Sequence, residues 1–281
     1  MCRPLGVTRG GYYRHLNKVV DYYHLALIEA VQDLAKASDN TYGSRRMSSA
    51  LRAMSYPVSR NKARRLIKEA GVLVKRRKRF KVTTDSNHAK PLFDNVLDRD
   101  FASDGPDQAY VQDITYIWTQ EGWLYLATVI DLYSRRVVGW SMGSRMTTQL
   151  VCDALTMAIW QRQPTVGLIV HSDRGSPQYA SKAYRRLLKA HGFVGSISRK
   201  GNCWDNAVAE SFFGSLKQER VQWRNYQTRN EAQQDVINYI AMWYNSLRLH
   251  SYLCYKSPNQ FETEMKTPRL ELQKNLLTEL Y

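Results

Sequence analysis

Apolar positions change period along the chain, and the changes divide it. After a polar segment around Gly10 and Gly11, Leu25, Ile28, Val31 and Leu34 recur at three-residue spacing and predict an amphipathic helix, ended at Tyr42-Gly43. Two short helices are predicted next. One spans about Ser44 to Met54; the other begins at Ser59, an N-cap, and ends before Gly71, a C-cap. Pro57 disfavours helical geometry at Tyr56, so the pair has the outline of a helix-turn-helix. From Tyr110 the pattern turns to β. Residues 110–118, 123–133 and 136–142 read as an antiparallel meander with turns at Gly122 and Ser134. A helix over 147–162, a strand over 168–171, a helix over 181–190, a strand near 196–198 and a helix from Asn206 complete the order βββαβαβα. That order predicts an α/β fold, a mixed sheet carrying helices. A last helix is predicted over 231–247, with Thr228 as N-cap and Glu231 as its capping-box partner.

The pattern gives five stretches. They are an N-terminal helical segment (1–41), a helix-turn-helix region (42–82), a polar linker (83–108), a mixed-sheet core (109–225) and a C-terminal helical segment and tail (226–281). With 43% hydrophobic residues the chain can bury a core. No run of eighteen apolar residues is present, so no transmembrane helix and no membrane partner are expected. The N-terminus has no apolar signal core, so export is not expected and a cytoplasmic location is. Cys2, Cys152, Cys203 and Cys254 lie far apart with no CxxC pair, so neither zinc nor a disulfide framework is expected.

Charge changes the picture more. The net charge is +16, and residues 43–81 hold 14 basic side chains against one acid, Glu69. That concentration points to a nucleic-acid partner. Arg60, Lys62, Arg64, Arg65 and Lys68 form the charged face of the second short helix, suited to a DNA groove, while Ala63, Leu66, Ile67 and Ala70 face a core. Lys75, Arg76, Arg77, Lys78 and Arg79 form a run that tracks phosphates without reading bases.

Three acids stand out in the β-rich part. Asp113 interrupts an apolar strand, where a carboxylate is costly unless a partner or a metal compensates it. Asp173 follows a buried strand at its C-terminal end, a usual ligand position in α/β sheets. Glu210 lies near a helix start, where the helix dipole tolerates negative charge. Three oxygen donors from separate elements suit Mg²⁺ or Mn²⁺, and two such ions can activate an attacking oxygen and stabilise a leaving one at phosphorus. Read singly, each acid also has an ordinary structural role. Lys217 lies about two helical turns after Glu210 on the same face. Arg199, Lys200 and Asn202 form a basic loop just before that helix, placed to touch DNA.

Six strings carry a resemblance. They are Asp113-Ile114-Thr115-Tyr116, Val129 through Trp140, His171-Ser172-Asp173-Arg174-Gly175, Ser198 through Ala207, Ala209-Glu210-Ser211-Phe212-Phe213, and Tyr244-Asn245 through His250-Ser251. In this order they resemble the OrfB transposases of the IS-three family of bacterial insertion sequences, within the wider DDE integrase group. The resemblance implies a ribonuclease-H-like catalytic core over 109–225 with Asp113, Asp173 and Glu210 as its triad. It places Lys217 at the family's basic position after the Glu. It implies hydrolysis at the element ends followed by 3′-OH strand transfer on double-stranded DNA, both terminal repeats and target. It further implies homo-oligomers on DNA, an OrfA partner or fusion, and a place at the bacterial nucleoid. A DNA-binding regulator that needs OrfA for activity, or a ribonuclease-H-like nuclease, remain alternatives. Two departures stand out. Pro177 lengthens the segment after Asp173, so that 36 residues lie between Asp173 and Glu210, and Cys254 stands where the family often has Gly.

Overall fold

Eleven residues from Ala109 to Thr119 form β1, the spine of a five-stranded sheet. The computed structural model describes residues 6–16, 20–75, 93, 96, 103–173, 176–198 and 206–265. β2 (Gly122–Asp131) returns antiparallel to β1, and β3 (Val137–Gly143) returns antiparallel to β2. β4 (Ile169–Ser172) and β5 (Val194–Ile197) then add in parallel on the other side of β1. The order is β3-β2-β1-β4-β5, a mixed sheet as the pattern predicts and the ribonuclease-H-like arrangement that the resemblance implies. β4 pairs with β1 only as far as Gln112↔Ser172, so the edge of β1 from Asp113 onward is open.

Alternation along β1 and β2 sorts side chains to two faces, each with its own core. One face carries α5 (Thr148–Arg162) and α6 (Lys182–Ala190), with Tyr110, Val129, Ala154, Leu155 and Tyr184 buried between. Here β3 and α5 approach very closely. A Cβ on Gly139 would lie 2.2 Å from the Ala154 carbonyl oxygen, so only glycine fits. The opposite face carries α7 (Ala207–Glu219) and α8 (Arg229–Asn238), packed through Phe212, Leu216 and Val236 onto Val111, Ile117 and Leu126. Residues after 226 thus complete the core that the strands begin. In the stretch 83–108, Phe93 packs in the first-named core and the Val96 N–H donates to Ser196 Oγ.

Two local outcomes differ from the sequence pattern, at the last helix and at Gly10-Gly11, and a third bears on the departure at Cys254. The last helix is α-helical only over Arg229–Asn238 and widens to π geometry over Tyr239–Tyr244. The wider turn coincides with two demands on its side chains. Tyr239 Oη and Trp243 Nε1 both donate to the buried Glu219 carboxylate. Asn245 presents its amide to β3, accepting from Val137 N–H and donating to Val137 C=O, like a short extra strand. Cys254 has φ +52° and Tyr255 φ +61°, so the position where glycine is usual does take the left-handed conformation. Gly10 and Gly11 lie inside a helix, α1 (Arg9–Leu16), started by Thr8, whose hydroxyl accepts the Gly11 N–H.

The first compact unit ends at Lys75. It joins α2 (Tyr22–Ala37), α3 (Ser44–Ala53) and α4 (Arg60–Glu69) around Leu27, Val31, Met47, Leu51, Ala63 and Leu66. Ser59 caps α4 by accepting the Lys62 N–H, and Gly71 follows it with φ +69°. Ser48 Oγ and Arg52 Nε both donate to the Val58 carbonyl, which fixes the turn between α3 and α4.

Candidate active site

Asp113 is the only acid within β1 and lies on the α7 face. Its Oδ1 accepts the Ile114 N–H at 2.7 Å and its Oδ2 accepts the Asn206 amide at 2.9 Å. Asp173 follows β4 directly. The end of β4 is held by His171, whose ring nitrogens share hydrogen bonds with Ser196 Oγ (2.9 Å) and Ser198 Oγ (3.1 Å), all three residues being buried. Glu210 occupies the first turn of α7 and Lys217 its last.

The electrostatics tie these residues together. Burial first, then the charge of Asp173, then Glu210, push the Asp113 acid up to about 8 against the opposing bonds from Ile114 and Asn206. Glu210 is raised by burial and then by Asp173. Burial lowers the Lys217 ammonium, and the charge of Asp113 opposes that fall. Tyr179 is fully buried, and its hydroxyl has no hydrogen-bond partner among the described residues. Burial and then the charge of Asp113 hold it far from ionising. Asp113 and Glu210, both raised in part by the charge of Asp173, mark a place that a cation would stabilise. The donors are all oxygen, which fits a hard divalent ion. Among the described residues, no three His, Cys, Asp or Glu side chains already stand close enough to cage an ion. In chemistry and charge the three carboxylates fit such an ion.

Asn206 is the residue that the sequence pattern did not single out as part of this centre. Its only signal was its place in the string leading into α7. Conversely, Asp131, an acid within another of the strings, belongs to the scaffold. Its carboxylate accepts from Ser134 N–H, Ser134 Oγ and Asp107 N–H and shapes the β2–β3 turn.

Of the predicted DNA contacts, Arg60, Arg64, Arg65 and Lys68 are exposed on α4, opposite Ala63, Leu66 and Ile67. Lys62 is half-buried, with its ammonium 5.7 Å from the Tyr23 ring centre. Lys75 pairs with Asp39 at 2.8 Å and helps close the helical unit. Arg76, Arg77, Lys78, Arg79, Arg199, Lys200 and Asn202 lie outside the described residues. Cys152 and Cys254 are free thiols, and among the described residues no helix is long and apolar enough to cross a membrane.

Family models agree with this layout. An HTH-like domain matches residues 23–80, and two integrase core domain models match 103–203 and 210–265. Transposase InsF for insertion sequence IS3A of Escherichia coli (strain K12) is 41% identical over 269 residues, which cover 94% of this chain and 93% of that protein. The insertion element IS600 uncharacterized 31 kDa protein of Shigella sonnei is 41% identical over 266 residues, covering 93% and 97%. Among solved structures, the HTLV-2 integrase catalytic core domain in complex with magnesium matches 57% of this chain and 99% of its own at 16% identity, with a TM-score of 0.44. The chain belongs to the IS3 family of insertion-sequence transposases, with an HTH-like region ahead of an integrase core.

Proposed function

We propose that Asp113, Asp173 and Glu210 form the reaction centre of this transposase, and that it cuts and rejoins DNA by direct transfer at phosphorus. Water attacks the phosphodiester at the element end, the P–O3′ bond to the element's terminal nucleotide breaks, and a 3′-OH is left on the element with the 5′-phosphate on the flanking DNA. That 3′-OH then attacks a phosphodiester of a second strand, forming one P–O bond as another breaks, with no covalent protein intermediate. One or two Mg²⁺ or Mn²⁺ ions held by the three carboxylates would supply Lewis-acid stabilisation of the attacking and leaving oxygens.

The chain's own residues prepare the centre. Asn206 orients the Asp113 carboxylate from the start of α7, and His171 fixes the end of β4 from which Asp173 projects. Lys217 is assigned to DNA phosphate, and Arg199, Lys200 and Asn202 to the DNA strand beside it. The α4 face of Arg60, Lys62, Arg64, Arg65 and Lys68 is assigned to duplex DNA within a helix-turn-helix over 42–82, and the basic run from Lys75 to Arg79 to its phosphates. A homo-oligomer bridging two element ends, and an upstream OrfA partner, complete the assembly.

The observation that carries this reading is the placement of three carboxylates on neighbouring elements: Asp113 on β1 just past its last pairing with β4, Asp173 directly after β4, and Glu210 in the first turn of α7, whose leading Asn206 bonds Asp113. A nicking assay on DNA carrying the element's ends tests it. Cleavage should require a divalent cation and fall by more than a hundredfold in Asp113→Asn, Asp173→Asn and Glu210→Gln. Metal-dependent cleavage that survives all three changes would remove the triad, and cleavage only of RNA–DNA hybrids would make the chain a nuclease of another kind.

A further inference from the structure

On the face that carries α5 and α6, the β1–β2 hairpin runs beyond the rest of the sheet. β3 ends at Gly143, opposite Tyr125, and β4 leaves β1 after Gln112. Three large rings stand on this bare stretch, with Tyr116 43%, Trp118 53% and Trp123 43% exposed. Trp118 and Trp123 face each other across the two strands. Their ring centres are 4.8 Å apart, and Tyr116 lies 5.0 Å from Trp123, both contacts edge-to-face. The rings thus hold one another in place.

The cluster is joined to the carboxylates. α7 lies on the other face, yet Lys217 Nζ stands 4.8 Å from the Tyr116 ring centre, which puts this side chain at the open edge of β1. The same ammonium feels the charge of Asp113. At about 3.3 Å per residue, Tyr116 is ~10 Å and Trp118 ~17 Å along β1 from Asp113. A few nucleotides of one strand would span that length.

We propose that Tyr116, Trp118 and Trp123 form a stacking platform for unpaired nucleobases of a DNA strand at the reaction centre, with Lys217 holding a phosphate between platform and carboxylates. This rests on the reading of the three acids as a DNA-processing centre. Aromatic rings interleaved with a cation match the alternation of bases and phosphates in a single strand, and the chain's charge of +16 favours that partner over another protein surface. Stacking tolerates any base, so the platform would accept frayed ends and target strands of differing sequence.

The test uses the full chain without divalent cation, so that nothing is cut. Duplex DNA with a short single-stranded extension carrying 2-aminopurine is compared with the same duplex blunt-ended. The wild type should quench the probe in the extension. Trp118→Leu and Trp123→Leu should weaken binding of the extended DNA about tenfold and leave the blunt duplex unchanged, while Tyr116→Phe, which keeps the ring, should bind as the wild type does. Absence of quenching by the wild type overturns the proposal, whatever the variants do. So does equal weakening for both DNAs, or loss of a wild-type dimer in the leucine variants, which would make the face an interface between copies. Asp113→Asn should quench normally while failing to cleave. Quenching by a wild type that cleaves nothing under any metal would sink the reaction centre and leave the platform standing.

Discussion

Asn206 gives its amide to Asp113 at 2.9 Å and makes no side-chain cap for the helix it begins. Asparagine at an N-cap ordinarily accepts a helix N–H, worth about 1 kcal/mol. Here that contribution is forgone, Asn206 Oδ1 has no partner among the described residues, and the first turn of the helix that bears Glu210 is tied to the strand that bears Asp113. Local stability yields to the alignment of two acids from distant parts of the chain.

A buried acid raised to about 8 makes the metal-free fold sensitive to pH. The folded Asp113 holds its proton more tightly than the unfolded one, so the metal-free protein loses stability as pH rises from about 4 and levels off above about 8. Asp113→Asn should flatten this dependence and raise the metal-free melting temperature at pH 8, by about 2–4 °C for each kcal/mol relieved. Mg²⁺ or Mn²⁺ should raise the wild-type melting temperature and leave that of Asp113→Asn nearly unchanged. Thermal melts across pH 4–9, with and without metal, read both effects.

Glu219 and Arg248 form an ion pair at 2.7 Å with both side chains buried. Tyr239, Trp243 and Ser215 supply further hydrogen bonds to the pair. Removing one partner strands a buried charge, so Arg248→Met and Glu219→Leu should each destabilise by about 3–5 kcal/mol. The double variant should recover part of that loss in a chemical-denaturation cycle.

Gly139→Ala should destabilise by about 1–3 kcal/mol or more, because the new methyl meets backbone oxygen of α5, which cannot swing aside. Val129, its partner on β2, lies in the same core and offers a control. Val129→Ala loses buried volume with no backbone clash, and the two substitutions should differ in how far they alter near-UV circular dichroism.

Much of this was legible in the sequence, for physical reasons. The meander, the caps at Ser59 and Thr228 and the strand-end position of Asp173 follow from local periodicity and turn chemistry, which act over a few residues. The partners of Glu219 were not legible, because Arg248 and Tyr239 reach it only through the packing of separate elements. Nor was the π-helical turn over Tyr239–Tyr244, whose apolar spacing reads as an ordinary helix until Asn245 is required at Val137. The exposed ring cluster was hidden for a related reason. Tyr116, Trp118 and Trp123 look like buried strand residues until β3 and β4 stop short of them.

The exposed face of α4 should bind duplex DNA through phosphates. Replacing Arg60, Arg64, Arg65 or Lys68 singly by Ala should weaken binding across unrelated sequences and reduce the slope of log affinity against log salt by about one for each lost contact. Fluorescence anisotropy over a salt series checks this, and a slope unmoved by all four would take that face out of the DNA interface.

Asp113, Asp173 and Glu210 should close around divalent cation when DNA is present. Crystals of the full chain with element-end DNA, soaked in Mn²⁺, test it through anomalous scattering. A peak should appear between the carboxylates, about 2.0–2.2 Å from their oxygens and against the scissile phosphate. Density that shows the three side chains directed apart, with Asn206 still on Asp113 and no peak among them, would contradict it.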